Sequence, residues 1–506
     1  MRSNLIAIPM TLLMFGMSAL TGAVTLNPKG LGQVLIYPYY TINQGHDSYV
    51  SVTNASDVGK LVKVSFHEGY NGRPVLDFNL YLSAHDVWAA TISAPDGTAT
   101  SGARMSTSDH SCMDPSPAHP QPFSTAGFDG SSLPADGGPT TPDRTREGYV
   151  DMIAAGDIIP GSATDTAITH VQTGDPDHGM PPGCGHLPAT LLTDIVAPTS
   201  GLFGSGGIID VGAGTFYAYD AVALTGFTDS VPMTSTSGPG HPSLEDARSG
   251  ASALPNGAIA TVFTDNGATL TLDYARGIDA VSAVLMADAL YNEYLVGAGL
   301  GANTDWVVTF PTKQFYVDKL LYPSSTTSPF MGPFLAPGES SVFAGVDIYD
   351  REELPRGLVQ CAPLRPCFAH SVLLPHEVNV VSFLPEPGAA VSGVFGSPRT
   401  FDPVAQHLIA NIDPVGDDGW LKLDFTFSLD GVPTSPGLSG GTNPAAPGAT
   451  ANLHGQPVTG FMAYDIINAH ALPGRLANYG GVFGHRGSIS CVSDVPTGGA
   501  GRDPCS

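Results

Sequence analysis

Histidine and cysteine residues with the spacing of metal ligands are concentrated in the first half of the chain. They are His110, Cys112, His170, His178, Cys184 and His186. Imidazole and thiolate groups bind zinc or copper. In an exported chain the two cysteines oxidise instead, which favours a Cys112–Cys184 disulfide with the histidines in solvated loops. A metal site made of histidines alone, beside that disulfide, stays open.

Three aspartates in the second half offer oxygen ligands to a divalent cation such as calcium. They are Asp413, Asp417 and Asp418. The segment lacks the full ligand spacing of an EF-hand loop. A turn capped by aspartates is therefore the favoured interpretation. A divalent cation is the one cofactor that the sequence permits, and no cofactor is assigned.

Residues 437–441 match the G-x-S-x-G pattern of a hydrolase nucleophile elbow, with Ser439 as the nucleophile. That chemistry needs a buried strand before the serine and a helix after it. Proline-rich flanks on both sides predict neither element. The motif therefore does not support a serine hydrolase, and no catalytic residue is assigned.

Carboxylates and aromatic residues suggest a carbohydrate-active alternative. Glu352, Glu353 and Asp424 are candidates for the carboxylate pair of a glycoside hydrolase, although nothing in the sequence places them across a cleft. Exposed aromatic rings stack on sugars, but aromatic residues on strands are more often in the core. The aromatic candidates are Tyr37, Tyr39, Tyr40, Trp88, Trp306 and Trp420.

The charge of the chain excludes several partners. Its 506 residues carry 46 acidic and 20 basic side chains, a net charge of −26. Nucleic acids and anionic lipids need basic partners for their phosphates, so neither is predicted as a ligand. With 61 glycines, 44 prolines and 42% hydrophobic residues, the composition is typical of a folded protein with many loops.

Residues 1–23 have the layout of a secretory signal peptide. Arg2 gives a positive start, residues 5–20 are apolar, and small residues follow at 21–23. No later run reaches the ~18 apolar residues of a membrane span, so we expect no transmembrane anchor in the mature chain. The predicted location is the periplasm, the cell surface or the extracellular space.

Six cysteines in an exported chain predict disulfides. Pairing of neighbours would join Cys112 to Cys184, Cys361 to Cys367 and Cys491 to Cys505. Because six cysteines allow ~15 pairings, the connectivity stays open at this point.

Short runs of β-branched and aromatic residues predict a mostly β fold. Val34–Thr41 and residues 49–53 have strand composition around a turn at 43–47, which predicts an opening hairpin. Pro38 should make its strand an edge or bulged strand, with one side open to a partner. Short predicted strands separated by turns at regular spacing predict antiparallel, immunoglobulin-like β-sandwich units with long insertions rich in Gly, Pro and Asp.

One helix is expected near residues 279–296, where apolar residues recur at three- and four-residue spacing. It divides the chain into a first sandwich unit at 24–270, a helical connector at 271–302 and a second sandwich unit at 303–506.

Several strand-and-turn segments resemble a group of uncharacterised exported proteins of Gram-negative bacteria. The segments are residues 32–41, 75–83, 86–88, 304–313 and 478–481. The resemblance implies a shared sandwich scaffold and a cell-envelope location. It implies no activity and no functional residue.

The sequence therefore favours an exported β protein that works by binding or assembly at the cell surface or outside the cell. Its partner would be a protein or a glycan, and its edge strands would permit oligomerisation. The alternative is a secreted hydrolase, acting on carbohydrate with carboxylates on the insertion loops.

Overall fold

The structure is a computed structural model of the chain. It describes residues 22–95, 101–172, 179–187, 193–232, 242–297, 301–334, 340–353, 371–383, 393–397, 411–412, 418–429, 432–444, 450–467, 477–494 and 505.

The fold is mostly β, as predicted, with several antiparallel sheets of the sandwich type. The described residues include three short α-helices, at Ala163–Ile168, Gly277–Leu285 and Gln314–Val317. Four 3-10 turns lie at Asn43–Gly45, Pro142–Arg146, Cys184–His186 and Leu244–Asp246. Immunoglobulin-like topology remains a prediction.

Two sheets enclose the first core. The large sheet has thirteen strands: Ala23–Leu26, Val34–Thr41, Gly59–Glu68, Pro74–Leu82, Cys112–Asp114, Glu147–Ile158, Ile195–Val196, Val222–Thr225, Ala258–Phe263, Thr269–Tyr274, Leu438–Thr442, Thr450–Leu453 and Cys491–Asp494. The six-stranded sheet comprises His46–Asn54, Val87–Ser93, Arg104–Ser106, Gln121–Pro122, Leu202–Asp210 and Thr215–Asp220. Buried side chains from both sheets share one hydrophobic cluster.

The opening hairpin prediction is wrong. Val34–Thr41 pairs with Glu147–Ile158 and Val222–Thr225 in the large sheet. His46–Asn54 instead pairs within the six-stranded sheet. The Asn43–Gly45 turn thus carries the chain from one sheet to the other. Every residue of Val34–Thr41 is buried, so this strand is a central one and its partners come from distant parts of the chain.

Pro38 lies at a bulge, as predicted. The register of its strand with Glu147–Ile158 shifts between Gly148 and Val150, opposite residues 37–40. The expected open side is covered, because Thr309 Oγ1 donates a hydrogen bond to the Pro38 carbonyl at 2.7 Å. The proline therefore lies where a bulge interrupts the pairing with Glu147–Ile158 and where another part of the chain packs against the strand.

Two five-stranded sheets follow. The outer sheet comprises Ala289–Leu295, Val342–Asp350, Ser371–Leu374, Asp418–Asp424 and Arg486–Ser488. The central sheet comprises Ala302–Thr309, Val378–Phe383, Asn411–Ile412, Thr459–Ile466 and Tyr479–Gly484. Three two-stranded pairs complete the strands: Val171–Gln172 with Gly179–Met180, Met286–Ala287 with Gln456–Pro457, and Ser428–Leu429 with Val432–Pro433.

The central sheet is buried on both faces along its strands Ala302–Thr309 and Val378–Phe383, whereas its edge strand Tyr479–Gly484 is largely exposed. Trp306, Val308 and Phe383 belong to the core shared with the outer sheet. Val307, from the opposite face, and Phe461 belong to the first core. The outer sheet packs one face against this core and presents the other face to solvent. In its strand Asp418–Asp424, the outward-facing Trp420, Lys422 and Asp424 alternate with the buried Leu421 and Leu423.

The predicted helix at 279–296 is correct only in its first half. Gly277–Leu285 is helical, but Ala289–Leu295 is a strand of the outer sheet. In that strand Leu290 and Tyr294 are buried, whereas Tyr291 and Glu293 face outward. The apolar residues fit an alternation of period two as well as a helical period, and pairing with Asp418–Asp424 selects the strand.

The proposed domain division remains a prediction. The large sheet takes strands from both sides of it, and Asp273 pairs with Thr442. Both main hydrophobic clusters also contain residues from before 270 and after 303.

Two of the predicted disulfides are present. Cys112 joins Cys184, with Cα atoms 5.0 Å apart, and Cys491 joins Cys505, with Cα atoms 5.5 Å apart. Cys361 and Cys367 lie outside the described residues. Among the helices that the structure describes, none has the length and apolar character needed to cross a membrane.

Candidate functional site

The predicted histidine cluster is only partly assembled. His110 and His170 line a shallow depression of about 750 Å³ together with Asp86 and Asp109. His170 Nδ1 lies 3.6 Å from Asp86 Oδ2. His178 lies outside the described residues, as does the side chain of His186.

The Cys112–Cys184 disulfide removes both thiolates from this cluster. Across the described ranges, no group of three or more His, Cys, Asp or Glu side chains is placed to hold a metal ion. The depression thus brings two predicted histidines together without forming a ligand set from the described side chains.

Asp418 differs from its two predicted companions. Asp413 and Asp417 lie outside the described residues, whereas Asp418 begins an outer-sheet strand and forms an ion pair with Arg351. This pair lies at the mouth of a second cleft, and that cleft is the candidate functional site.

The cleft has a volume of about 730 Å³ and lies where the outer sheet meets the central sheet. Its walls are Glu293, Tyr294, Leu295, Asp350, Arg351, Glu353, Asp418, Gly419, Trp420, Met462, Tyr464, Ile466 and Phe483. We call it the Trp420 cleft.

Two aromatic pairs border the Trp420 cleft. Trp420 is 40% exposed and stacks on Tyr349, with ring centroids 4.5 Å apart and planes 12° apart. Tyr464 stacks on Phe483 at 6.0 Å and 10°. Trp420 and Phe483 are among the few large aromatic side chains with substantial exposure, so the cleft offers apolar surface to a ligand.

Carboxylates lie beside these rings. Cross-strand pairing places Glu293 opposite Trp420 and Asp418 opposite Leu295. Glu293 and Asp418 are therefore diagonal neighbours on adjacent strands, about 7–8 Å apart between Cα atoms. Glu353 is exposed and has a φ of 62°, a left-handed conformation that is uncommon outside glycine.

Alternation of apolar and polar residues builds this surface. Leu421 and Leu423 point into the core, which turns Trp420 and Lys422 to the opposite face. Lys422 Nζ donates to Asp424 Oδ2 at 2.7 Å. Burial raises the pKa of the Asp424 carboxyl, but the hydrogen bonds from Lys422 and Thr426 and the Lys422 charge together outweigh it and hold the pKa below its usual range. Asp424 thus forms an ion pair with Lys422 and does not line the cleft.

The other predicted residues are accounted for by packing. Tyr37, Tyr39, Tyr40, Trp88 and Trp306 are fully buried, which leaves Trp420 as the exposed member of the predicted aromatic set. Ser439 lies inside the strand Leu438–Thr442, which pairs with Thr450–Leu453. It is not at a strand-to-helix turn, so the nucleophile-elbow context is absent there.

A buried ion network, which the sequence did not predict, occupies a different part of the fold. We define it by Glu68, Arg73, Asp136, Arg144 and Asp318. Arg144 donates two hydrogen bonds of 2.9 Å to Glu68 and two of 2.6 and 2.9 Å to Asp136. Arg73 Nε donates to Asp318 Oδ2 at 2.8 Å. All five side chains are buried, so the network is closed to ligands.

A buried lysine lies near this network. Lys313 Nζ donates to the carbonyls of Pro375 and His376 at 2.9 and 3.1 Å. Burial lowers the pKa of the Lys313 ammonium to about 7 and raises the pKa of the neighbouring Glu377 carboxyl to about 8. These shifts arise in a packed interior and do not mark an accessible site.

Comparison of this chain with protein-family models, with curated proteins and with solved structures found no match.

Proposed function

We propose that this chain is an exported carbohydrate-binding protein and that the Trp420 cleft is its glycan site. The observation that carries the proposal is the exposed Trp420 ring, which stacks on Tyr349 beside Glu293. The exposed part of the Trp420 ring is in contact with water. A ligand that covers the ring removes this apolar surface from water, which favours binding.

Sugar rings match this surface better than other ligands do. Their C–H faces pack on aromatic rings, and their hydroxyl groups donate hydrogen bonds to carboxylates such as Glu293 and Glu353. Arg351 can donate to sugar oxygens from the same cleft. The net charge of −26 disfavours polyanionic polymers, which supports a glycan that is not strongly acidic.

A glycan-array and pull-down experiment tests the proposal. Wild-type protein is incubated with insoluble and immobilised polysaccharides and compared with Trp420→Ala. Phe216→Ala is the matched control, because Phe216 is an exposed aromatic residue, 54% exposed, on a strand of the six-stranded sheet. We expect wild type and Phe216→Ala to bind the same glycans and Trp420→Ala to lose at least about tenfold in affinity. Equal binding by all three, or none by wild type, contradicts the proposal.

Hydrolysis is the second candidate function. It is favoured by one observation, namely that Glu293 and Asp418 lie diagonally across adjacent strands and line one cleft. A glycoside hydrolase needs two carboxylates beside the scissile bond, and these two side chains line the same cleft. In this second candidate function we assign Glu293 as the general acid and Asp418, which forms an ion pair with Arg351, as the second carboxylate.

Release of reducing ends from bound glycans tests hydrolysis. In an enzyme, Glu293→Gln should abolish release while retaining binding, because glutamine keeps the shape and removes the titratable proton. No release by wild type from any glycan that it binds would exclude this second candidate and leave the binding proposal standing.

A further inference from the structure

A further cavity, of about 590 Å³, is lined by residues of the large sheet, the helix Gly277–Leu285 and the central sheet. It shares no lining residue with the Trp420 cleft. Its wall includes six nearly buried apolar side chains: Val262, Val284, Met286, Leu290, Val458 and Phe461. We call this cavity the Met286 pocket. Its volume and its apolar wall are typical of a site for a small organic molecule.

A glycine leaves the pocket open on its central-sheet side. Gly484 lines the pocket and pairs with Phe461 on the neighbouring strand, so a side chain at position 484 would point to the same face as the Phe461 ring. A Cβ at Gly484 would meet no atom of the described residues within 4 Å. The preceding residue, Phe483, lines the Trp420 cleft on the other face of the strand. The protein therefore leaves space at Gly484 that a ligand can fill.

The rim of the pocket carries an exposed aromatic ring and two carboxylates. Phe263 lines the pocket and is 58% exposed. Asp220 and Asp265 also line it and are exposed. Asp220 Oδ1 accepts a hydrogen bond from Ser205 Oγ at 3.3 Å, and the backbone N–H of Ile489 donates to Asp265, with 3.2 Å from the nitrogen to each carboxylate oxygen. Each carboxylate keeps lone pairs for a further donor.

The charges around the pocket have one sign. Among the described residues that line it there is no lysine or arginine. His485 also lines the pocket, but burial lowers the pKa of its ring to about 4, so the ring is neutral near pH 7. Asp220 and Asp265 therefore make the rim negative. The net charge of −26 on the whole chain adds to the repulsion of anions.

This arrangement favours a ligand with an apolar body and a cationic head. Water in an apolar pocket lacks hydrogen-bond partners, so a ligand that replaces it removes apolar surface of the ligand and of the pocket wall from water. The head of such a ligand lies at the rim, where Asp220 and Asp265 attract a cation and repel an anion.

We propose that the Met286 pocket binds a small hydrophobic amine. The apolar chain of the amine lies against Met286, Leu290 and Phe461, and its ammonium group pairs with Asp220 or Asp265 at the rim. Met286 suits this role because its unbranched side chain adapts to the shape of a ligand. Because the pocket is separate from the Trp420 cleft, amine binding does not depend on the proposed glycan function.

Calorimetric titration at pH 7 with ligands of one chain length tests the proposal. Decylamine is a cation at this pH, 1-decanol is neutral and decanoate is an anion. We expect decylamine to bind about fivefold more tightly than 1-decanol and at least about tenfold more tightly than decanoate. Octylamine, which has two fewer methylenes, should bind about 15-fold more weakly than decylamine. No binding of decylamine, or equal or tighter binding of 1-decanol or decanoate, overturns the proposal.

A side chain at position 484 should block the pocket. Gly484 ends a strand and has no positive φ, so leucine is compatible with its backbone. Gly484→Leu should bind decylamine at least about tenfold more weakly than wild type does. Gly332→Leu is the matched control, because a Cβ at Gly332 also meets no described atom within 4 Å and Gly332 lies outside the pocket. Wild-type affinity in folded Gly484→Leu overturns the proposed site.

The rim charges are tested by a double substitution that needs no change in the pocket wall. Asp220→Asn with Asp265→Asn removes both charges and keeps an oxygen that accepts hydrogen bonds at each position. This variant should bind decylamine about fivefold more weakly and 1-decanol as wild type does. Asp57→Asn with Asp143→Asn removes two exposed charges elsewhere, so it has the same net charge and should keep wild-type affinity for decylamine. Unchanged decylamine affinity in the rim variant, or an equal loss of 1-decanol affinity, overturns the role of the two carboxylates.

Discussion

The buried ion network and the Trp420 cleft both hold an arginine paired with carboxylate, but only one of them faces solvent. The side chains of Arg144 and Glu68 are fully buried, whereas the side chain of Arg351 is 73% exposed and that of its partner Asp418 is 23% exposed. The same residue types therefore stabilise the fold in one place and remain available to a ligand in the other.

Solvent access also sets the energetics of the two regions. Breaking a buried ion pair leaves an uncompensated charge in the interior and typically costs about 3–5 kcal/mol. An exposed pair contributes about 0–1 kcal/mol because water and salt screen it.

The largest effect is expected in the buried ion network. Arg144→Met removes the four hydrogen bonds to Glu68 and Asp136 and leaves both carboxylates without their main cation, so the free energy of unfolding should fall by about 3–5 kcal/mol. Chemical denaturation measures the change. Arg351→Met, the matched substitution at the cleft, should cost less than about 1 kcal/mol. Similar losses in the two variants would contradict the distinction between the regions.

A pH-dependent effect of intermediate size is expected at His485, which follows the cleft residue Phe483 by two positions and lines a different pocket. Its Nε2 donates to the Val307 carbonyl at 3.0 Å, and its Nδ1 faces the Asn292 amide at 3.1 Å. This pairing requires the neutral ring, and burial lowers the pKa of His485 to about 4. Because the unfolded chain binds this proton near pH 6.5, stability should fall as pH decreases from 6.5 to 4, by about 3 kcal/mol.

Unfolding free energies measured from pH 7 to pH 4 test this prediction. His485→Gln should reduce the acid-dependent loss relative to wild type, even if the variant is less stable at pH 7. An identical pH slope in the two proteins would show that other groups cause the loss. Asn292 also donates a hydrogen bond to the Phe483 carbonyl. Protonation of His485 should therefore also weaken the packing of the strand that carries Phe483.

A small effect on stability, comparable with that of Arg351→Met, is expected at Trp420. Its ring is partly exposed and its main contact is the stack on Tyr349, which contributes about 0.5–1.5 kcal/mol. Thermal unfolding of Trp420→Ala should therefore stay close to that of wild type. A loss of several kcal/mol would mean that the ring is a core residue and not a binding surface.

Local pattern predicted the fold class but not the partners of its strands. The composition of Val34–Thr41 identified a strand, while its neighbours in the large sheet come from residues 147–158 and 222–225. The apolar residues after Leu285 fit both a helical period and the period of two of a strand, and this is why a helix was predicted where Ala289–Leu295 is a strand. No spacing rule connects Glu68, Asp136 and Arg144, because the fold brings them together from three separate segments.

The candidate site was predicted in fragments for the same reason. The sequence suggested Trp420 for stacking on sugars, Asp418 for binding a divalent cation and Glu353 for the carboxylate pair of a glycoside hydrolase, each separately. Glu293 was not flagged, although its exposed position in an alternating strand was the available signal. Only cross-strand register joins these residues into one cleft.

The most direct test of the account measures stability and glycan affinity in the same two variants. Trp420→Ala should lose at least about tenfold in affinity with little change in unfolding free energy. Arg144→Met should lose stability and keep wild-type affinity under conditions where it is folded. If Arg144→Met loses affinity while folded, or Trp420→Ala binds as wild type does, function does not reside in the Trp420 cleft.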